Sequence, residues 1–277
     1  MSPTKTGDAS GDAAAAETFR RDGVVHLAGA FADWLDTLRA GVERNMREPS
    51  VYRREYEPEG AKGYFFGDYC NWARIPEYRD FVLNSGAAAL AARLMQSSTA
   101  RFFHEHVLVK EPETESRTPW HHDLPYYCID GTQAVSFWTA LDPVPREVCL
   151  ELVAGSHRWG KSFMPRKFVG IDYRREGEAL DTMPDIEARR DEFEIVSFDV
   201  APGDAIAFHF LTVHGAPGNA SPSARRRAFV HRWVGDDVRF KVRPGEVSPP
   251  FPEVHERLRD GDPLDDPEFP LVWPASD

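Results

Sequence analysis

Residues 101–127 read RFFHEHVLVKEPETESRTPWHHDLPYY, and the fold turns on how this stretch is taken. Its first ten residues mix β-branched, aromatic and polar side chains, as a strand does. The turn-rich EPETESRTP then separates them from a second run, WHHDLPYY. The same texture recurs downstream in AVSFWTAL, CLELVAG, FEIVSFDV, DAIAFHFLTVHG and RRAFVHRWVGDD. Seven short runs punctuated by Pro, Gly and Asp predict an antiparallel sandwich or barrel.

Upstream the periodicity is helical. Ala15–Arg21 reads as a short helix, GVVHLAG as a strand, and Phe31–Met46 as a helix with Leu35, Leu38 and Val42 on one face. A second helix fits Glu77–Met95. Between them, YRREYEPEGAKGYFFGDYCNW reads as a structured loop, rich in turn residues and aromatics. Residues 1–14, rich in Gly, Ala, Ser and Asp, read as a disordered tail, and residues 15–277 as one domain. The Pro-rich stretch after residue 236 shows little regular character.

Composition bounds the function. The chain of 277 residues has 45 acidic against 33 basic side chains, a net charge of −12, so its overall field repels nucleic acid and anionic membrane surfaces. The sequence has no apolar run of membrane-spanning length, and its N-terminus lacks the apolar stretch of a secretory signal. Three scattered cysteines, Cys70, Cys128 and Cys149, read as buried thiols rather than disulfides. A cytoplasmic protein acting on a small molecule, without nucleic-acid or membrane partners, is the expectation; oligomeric state is not legible.

Within TPWHHDLPYY (118–127), strand alternation puts His121 and Asp123 on one face and turns His122 away as a packing or supporting group. A third ligand has to come from elsewhere. His214 stands at the end of a later apolar strand, just before a turn. Two imidazoles and one carboxylate on one side of an ion form the facial set of non-haem iron oxygenases. In ARRRAFVHRW (224–233), alternation groups Arg226, Ala228, Val230 and Arg232, with small Ala228 leaving room beside a ligand. An arginine aimed inward there would suit a carboxylate.

HHD, then HGAPGN, then RRA resembles the phytanoyl-CoA dioxygenase family of iron- and 2-oxoglutarate-dependent oxygenases. FRRDGVVHLAGAF and LVAGSHRWG are similar to that family's opening helix and strand and its mid-sheet loop, so the likeness runs from about residue 17 to 240. The resemblance implies a mainly β chain with flanking helices, built on a double-stranded β-helix (jelly roll). It implies Fe(II) held by His121, Asp123 and His214, with 2-oxoglutarate as cofactor and dioxygen as co-substrate. An arginine of RRA would bind the distal carboxylate: alignment on the following Ala points to Arg226, and counting from the distal histidine points to Arg225. Thr118, Trp138 and Ser221 are placed as cofactor neighbours by position. Relatives that chlorinate have a small residue in place of the carboxylate, so Asp123 favours hydroxylation. A cupin-like ligand-binding protein without oxidative chemistry is the alternative.

Two other patterns compete. HEHVLVKE (104–111) has the outline of a cupin metal motif, but the flanking glycines are missing, and His104 and His106 read as core or pocket residues. Gly155-Ser156-His157 lacks the acid a nucleophilic serine needs, and His157 reads as structural. For substrate recognition, Tyr64, Phe65, Phe66, Tyr69 and Trp72, with Tyr126 and Tyr127, would cover the pocket or seal a sheet edge. Lys110, Arg101 and Arg146 would suit an anionic substrate. Acyl-CoA would need a patch from Lys161, Arg166 and Lys167.

Overall fold

A computed structural model describes residues 4–5, 9–56, 63–167, 171–173, 175 and 177–274. The helices are α1 (Ala9–Asp22), α2 (Leu35–Arg47), α3 (Pro76–Asn84), α4 (Ala87–Met95) and α5 (Pro252–Arg257). The first strands are β1 (Thr4–Lys5), β2 (Val24–Ala28), β3 (Arg54–Tyr56), β4 (Phe65–Tyr69), β5 (Ala100–Lys110), β6 (Thr118–His121), β7 (Ile129–Asp130) and β8 (Ala134–Ala140). Then follow β9 (Glu151–Val153), β10 (Ile195–Val196), β11 (Ala205–His209), β12 (His214–Ala216), β13 (Arg226–Val234), β14 (Arg239–Phe240) and β15 (Leu271–Trp273).

The large sheet runs β1-β2-β11-β8-β13-β5-β4-β3, with β15 also on β5, and the small sheet runs β10-β9-β12-β6. Apart from the parallel β1–β2 pair, these ladders are antiparallel. The two sheets enclose a core of Trp138, Leu150, Leu152, Ile206, Phe208, Ala228 and Val230, giving the double-stranded β-helix. The other face of the large sheet carries α1–α4. There Phe229 and Trp233 of β13 meet Phe19, Leu38, Val42, Tyr78, Phe81 and Leu94. Strand β13 is thus buried on both sides, and its two parities face different cores. Phe81 joins the layers, with its ring centroid 5.5 Å from Phe229 and 5.3 Å from Phe31.

Several local expectations change. The first helix begins at Ala9 rather than Ala15, and an ion pair of 3.0 Å between its Asp12 and Arg93 holds its start on α4. Phe31–Met46 opens with a 3-10 turn at Ala32–Trp34 before α2, on which Leu38 and Val42 are buried. The helix expected over Glu77–Met95 is two helices, broken at Ser85-Gly86 where Gly86 has φ 76. The stretch read as a loop contains β3 and β4, which extend the large sheet from the edge of β5. The tail after residue 236 is also ordered: Phe240, Phe251, Val254, Leu264 and Phe269 pack on Phe103 and Tyr127. Cys128 and Cys149 are buried, Cys70 is half-buried, and none is paired.

Glu105 of β5 pins the backbone that follows β4. It is fully buried, and its carboxylate accepts the N–H groups of Asn71 and Trp72 (3.1 Å for the latter). Burial outweighs these hydrogen bonds and pushes the carboxyl up to about 8. The folded value lies above the ordinary 4.5, so its contribution to stability is complete below pH 4.5 and is lost as pH rises through about 8. Glu105→Gln forfeits one acceptor at every pH but removes that slope. Chemical denaturation from pH 5 to 8 should show the variant gaining on the parent as pH rises; parallel curves would contradict it.

Candidate active site

His121 ends β6 and His214 begins β12, and the two are register partners across that antiparallel ladder, with ring centroids 4.2 Å apart. Each fixes its tautomer on its own strand. His121 Nδ1 donates to Pro119 O at 2.8 Å and His214 Nδ1 to Thr212 O at 2.9 Å, which leaves both Nε2 atoms as lone-pair donors.

Asp123 does not lie on a strand. The chain leaves β6 at His121, and Asp123 has helical backbone angles (φ −74, ψ −41), with its N–H bonded to Phe210 O at 2.7 Å. This turn, rather than alternation, carries its carboxylate back to the histidines. Oδ1 lies 3.7 Å from His121 Nε2 and 3.8 Å from His214 Nε2. Oδ2 accepts from Ser136 Oγ (3.0 Å) and Arg232 Nε (3.2 Å). His122 points away as expected: its Nε2 accepts the Phe163 N–H at 2.9 Å.

The three ligand atoms lie within 4.8 Å of one another. Donors held about 2.1 Å from one ion lie about 3 Å apart at right angles, so a small closure suffices. The protonation states suit the same role. Burial, then the neighbouring His121, pulls His214 down to about 3, and burial lowers His121. Burial of Asp123 opposes its charge, but Arg232, His214 and His121 outweigh that and hold the carboxyl below its ordinary range. Two neutral imidazoles and a carboxylate, braced from behind by Arg232 and Ser136, form a donor set that fits a divalent iron.

Beside the histidines is a small cavity of about 70 Å³, lined by Thr118, Trp138, Phe208, Ala228, Lys110 and Arg226 among others. Arg226 is buried, donating to Val148 O and to Pro217 O (3.3 Å), and among the described residues it has no carboxylate partner. Burial pulls it down to about 10, still charged at neutral pH. Lys110 is a second buried basic side chain, expected as a substrate contact but found here. Its Nζ donates to Ser116 O (2.7 Å) and Pro217 O (2.9 Å). Burial, then Arg226, lowers its basicity well below the ordinary value. The other arginines look outward: Arg225 pairs with Glu43 (2.9 Å) and Glu111 (2.8 Å), and Arg227 with Asp142 (2.7 Å). Arg225 therefore lies outside the cavity. So does Ser221, whose Oγ accepts the Ala224 N–H (2.9 Å) in a turn organised with Asn219. Nearness in sequence placed Ser221 at the cofactor; its side chain is spent on that turn.

A larger cavity of about 590 Å³ opens over the same histidine and aspartate, within the range of small-molecule sites. Phe65, Tyr69, Tyr126 and Tyr127 line it; Phe66, on the other parity of β4, and Trp72 pack on the helical side. Three of the seven proposed aromatics, Tyr64, Phe66 and Trp72, therefore belong to the helix-side core. His104 and His106 are pocket residues, as expected, and lie outside the cluster of three ligands. Arg232 is the member of the site that sequence reasoning grouped on the right face without assigning it a partner.

The family model for phytanoyl-CoA dioxygenase (PhyH) matches residues 19–228. A probable phytanoyl-CoA dioxygenase of Caenorhabditis elegans is 25% identical over 177 residues, 62% of this chain and 51% of that protein, so the match spans about half of this relative's length. Among solved structures, the non-heme alpha ketoglutarate dependent carbocyclase SnoK from nogalamycin biosynthesis is 25% identical, with a TM-score of 0.71 over 98% of this chain and 100% of that one. The epimerase SnoN, in complex with Fe3+, alpha ketoglutarate and nogalamycin RO, shares the fold at 23% identity, with a TM-score of 0.75 over 96% and 100% of the two chains.

Proposed function

We propose a function from one premise: the chain belongs to the phytanoyl-CoA dioxygenase family. It is an Fe(II)- and 2-oxoglutarate-dependent dioxygenase that hydroxylates an unactivated C–H of a small metabolite or natural-product intermediate. The observation that carries this reading is the convergence of His121, Asp123 and His214 beside a cavity holding a buried, acid-free arginine.

When bound, iron, 2-oxoglutarate and dioxygen supply the oxidising chemistry, with release of succinate and carbon dioxide. The protein's contribution is placement. His121, Asp123 and His214 hold the ion from one side and leave the other open. Arg226 receives the distal carboxylate of 2-oxoglutarate; its charge is buried and among the described residues has only carbonyl partners, so a carboxylate ligand supplies the missing anion. Lys110 adds a second hydrogen-bond donor, while Trp138 and Thr118 form the walls. Buried apolar surfaces at Leu150, Phe208 and Val230 exclude water from the reacting centre.

A free metabolite fits better than an acyl-CoA. At the mouth of the large cavity, Arg166 is paired with Asp172 (2.8 Å) and Lys167 with Glu246 (2.9 Å), and the protein's net charge is −12. A polyphosphate would have to displace these acids. No helix among the described residues is long and apolar enough to cross a membrane.

Addition of Fe(II) and 2-oxoglutarate in the absence of oxygen is expected to give a visible charge-transfer band that His121→Ala abolishes. Absence of the band, with no succinate formed from amino acids, betaines, phosphonates or acyl thioesters, would leave a non-oxidative ligand-binding protein.

A further inference from the structure

Five residues line both cavities: Phe65, His106, Thr118, His121 and Arg232. They mark the junction of the small cavity with the large one, so a molecule in the large cavity meets them beside the metal ligand His121. Their polar atoms differ in availability. His121 Nε2 belongs to the metal site, and Arg232 is engaged by Asp123 and the Tyr127 hydroxyl. His106 is half-buried, and among the described residues its ring nitrogens have no hydrogen-bond partner. Nor are they sealed from the cavity, as Nε2 of His104 on the same strand face is. The half-buried Thr118 hydroxyl is in the same condition. Strand β4 sets the position of the ring. His106 is the register partner of Tyr69, whose ring meets it edge-on at 5.4 Å. Gly67, on the same face of β4, lies against the imidazole: a Cβ there would come 3.1 Å from His106 Nε2. The glycine is needed for space and not for conformational freedom, since it sits within a regular strand. Burial, then Arg232, pulls His106 down to about 3, so the ring is uncharged at neutral pH and offers one N–H and one lone pair.

We propose that His106 is a substrate-binding residue that selects a neutral hydroxyl group, held at the junction of the two cavities beside Thr118. A hydroxyl both donates and accepts, so it matches an uncharged imidazole in either tautomer. A carboxylate only accepts and an ammonium only donates, and each would bring a charge to an uncharged partner out of water. The rest of the large cavity describes the body that carries the hydroxyl. Tyr52, Tyr126 and Tyr173 line it and are each half-buried, and Tyr52 stacks on Tyr69 at 5.0 Å, so its walls accept a ring-bearing alcohol. The inference rests on the oxygenase reading in one respect, that the occupant is the substrate. Held at His106, the molecule is fixed by its polar end next to His121, with its ring system in the large cavity.

The test is equilibrium dialysis of the full chain, loaded with Fe(II) and 2-oxoglutarate without oxygen, against 2-naphthol and against 2-methylnaphthalene, in which a methyl replaces the hydroxyl. The quantity read is the ratio of the two affinities, in which the contribution of the ring system cancels. In His106→Phe that ratio is expected to fall about five- to tenfold from its parent value, while 2-methylnaphthalene still binds. His106→Gln, which keeps a donor and an acceptor, is expected to retain most of the parent ratio. An unchanged ratio in His106→Phe, an equal loss in His106→Gln, or a parent that binds neither probe would overturn the assignment. If His106→Phe does not fold, Gly67→Ala decides: its methyl crowds Nε2, so the ratio is expected to fall there too, and an unchanged ratio overturns the assignment. The charge-transfer band is recorded without either probe, so a failure at His106 and a failure of the oxygenase reading are separate results.

Discussion

Replacing Asp123 with Ala is expected to abolish iron binding and oxidation together, and also to destabilise the metal-free protein by about 3–5 kcal/mol. The second effect is the more informative. Asp123 is the carboxylate partner of Arg232, which is 6% exposed, and its removal leaves a buried guanidinium facing Ser136 and two neutral imidazoles. His121→Ala loses the metal as well but leaves the Asp123–Arg232 pair in place, so its unfolding midpoint in chelator should fall much less. Urea denaturation of both apo variants, beside iron content and succinate yield, makes the comparison. Equal destabilisation would show that Arg232 does not depend on Asp123. The pH sign is fixed by the depressed carboxyl: its stabilisation is present above the ordinary 3.8 and is lost only as pH falls through the lower folded value.

The other large effect belongs to Arg226. Arg226→Met is expected to raise the KM and Kd for 2-oxoglutarate by roughly a hundredfold or more, because a fully desolvated, charge-assisted contact disappears. Arg225→Gln should change them by only a few-fold. Its partners Glu43 and Glu111 lie toward the surface, where screening makes such pairs worth little. Succinate formation against 2-oxoglutarate concentration, with isothermal titration of the anaerobic iron-loaded protein, gives both constants. A larger effect in Arg225→Gln would transfer the role to that residue.

Period-two arguments succeeded where a strand was long and continuously paired. Strand β13 runs from Arg226 to its irregularity between Arg232 and Trp233 with a neighbour on each side. Its parity groups Arg226 with Ala228, Val230 and Arg232 as the alternation predicts, whereas counting from the distal histidine still admitted Arg225. The same argument chose His121 and Asp123 on a premise that does not hold, because the aspartate sits in a turn. Ser221 was placed by position in the sequence alone, and its hydroxyl accepts an N–H of its own loop. Strands β3 and β4 were missed because glycine and aromatic content resembled a loop, and their pairing is dictated by the edge of β5, distant in sequence.

The linear chain, by its alternation, its turn residues and the resemblance carried by HHD, HGAPGN and RRA, determined the rolled antiparallel architecture, the family and the three side chains that converge, His121, Asp123 and His214. The architecture follows from local backbone geometry; the family and the trio follow from the motif resemblance, since Asp123 reaches the histidines through a turn and not through a shared strand face. The tertiary structure alone decided which buried groups lack partners among the described residues: Arg226 and Lys110 have carbonyl partners and no acid, and His104 Nε2 and Arg232 Nη1 are unmatched. Whether a polar atom is satisfied depends on every element packed around it, and in a jelly roll those neighbours come from distant parts of the chain.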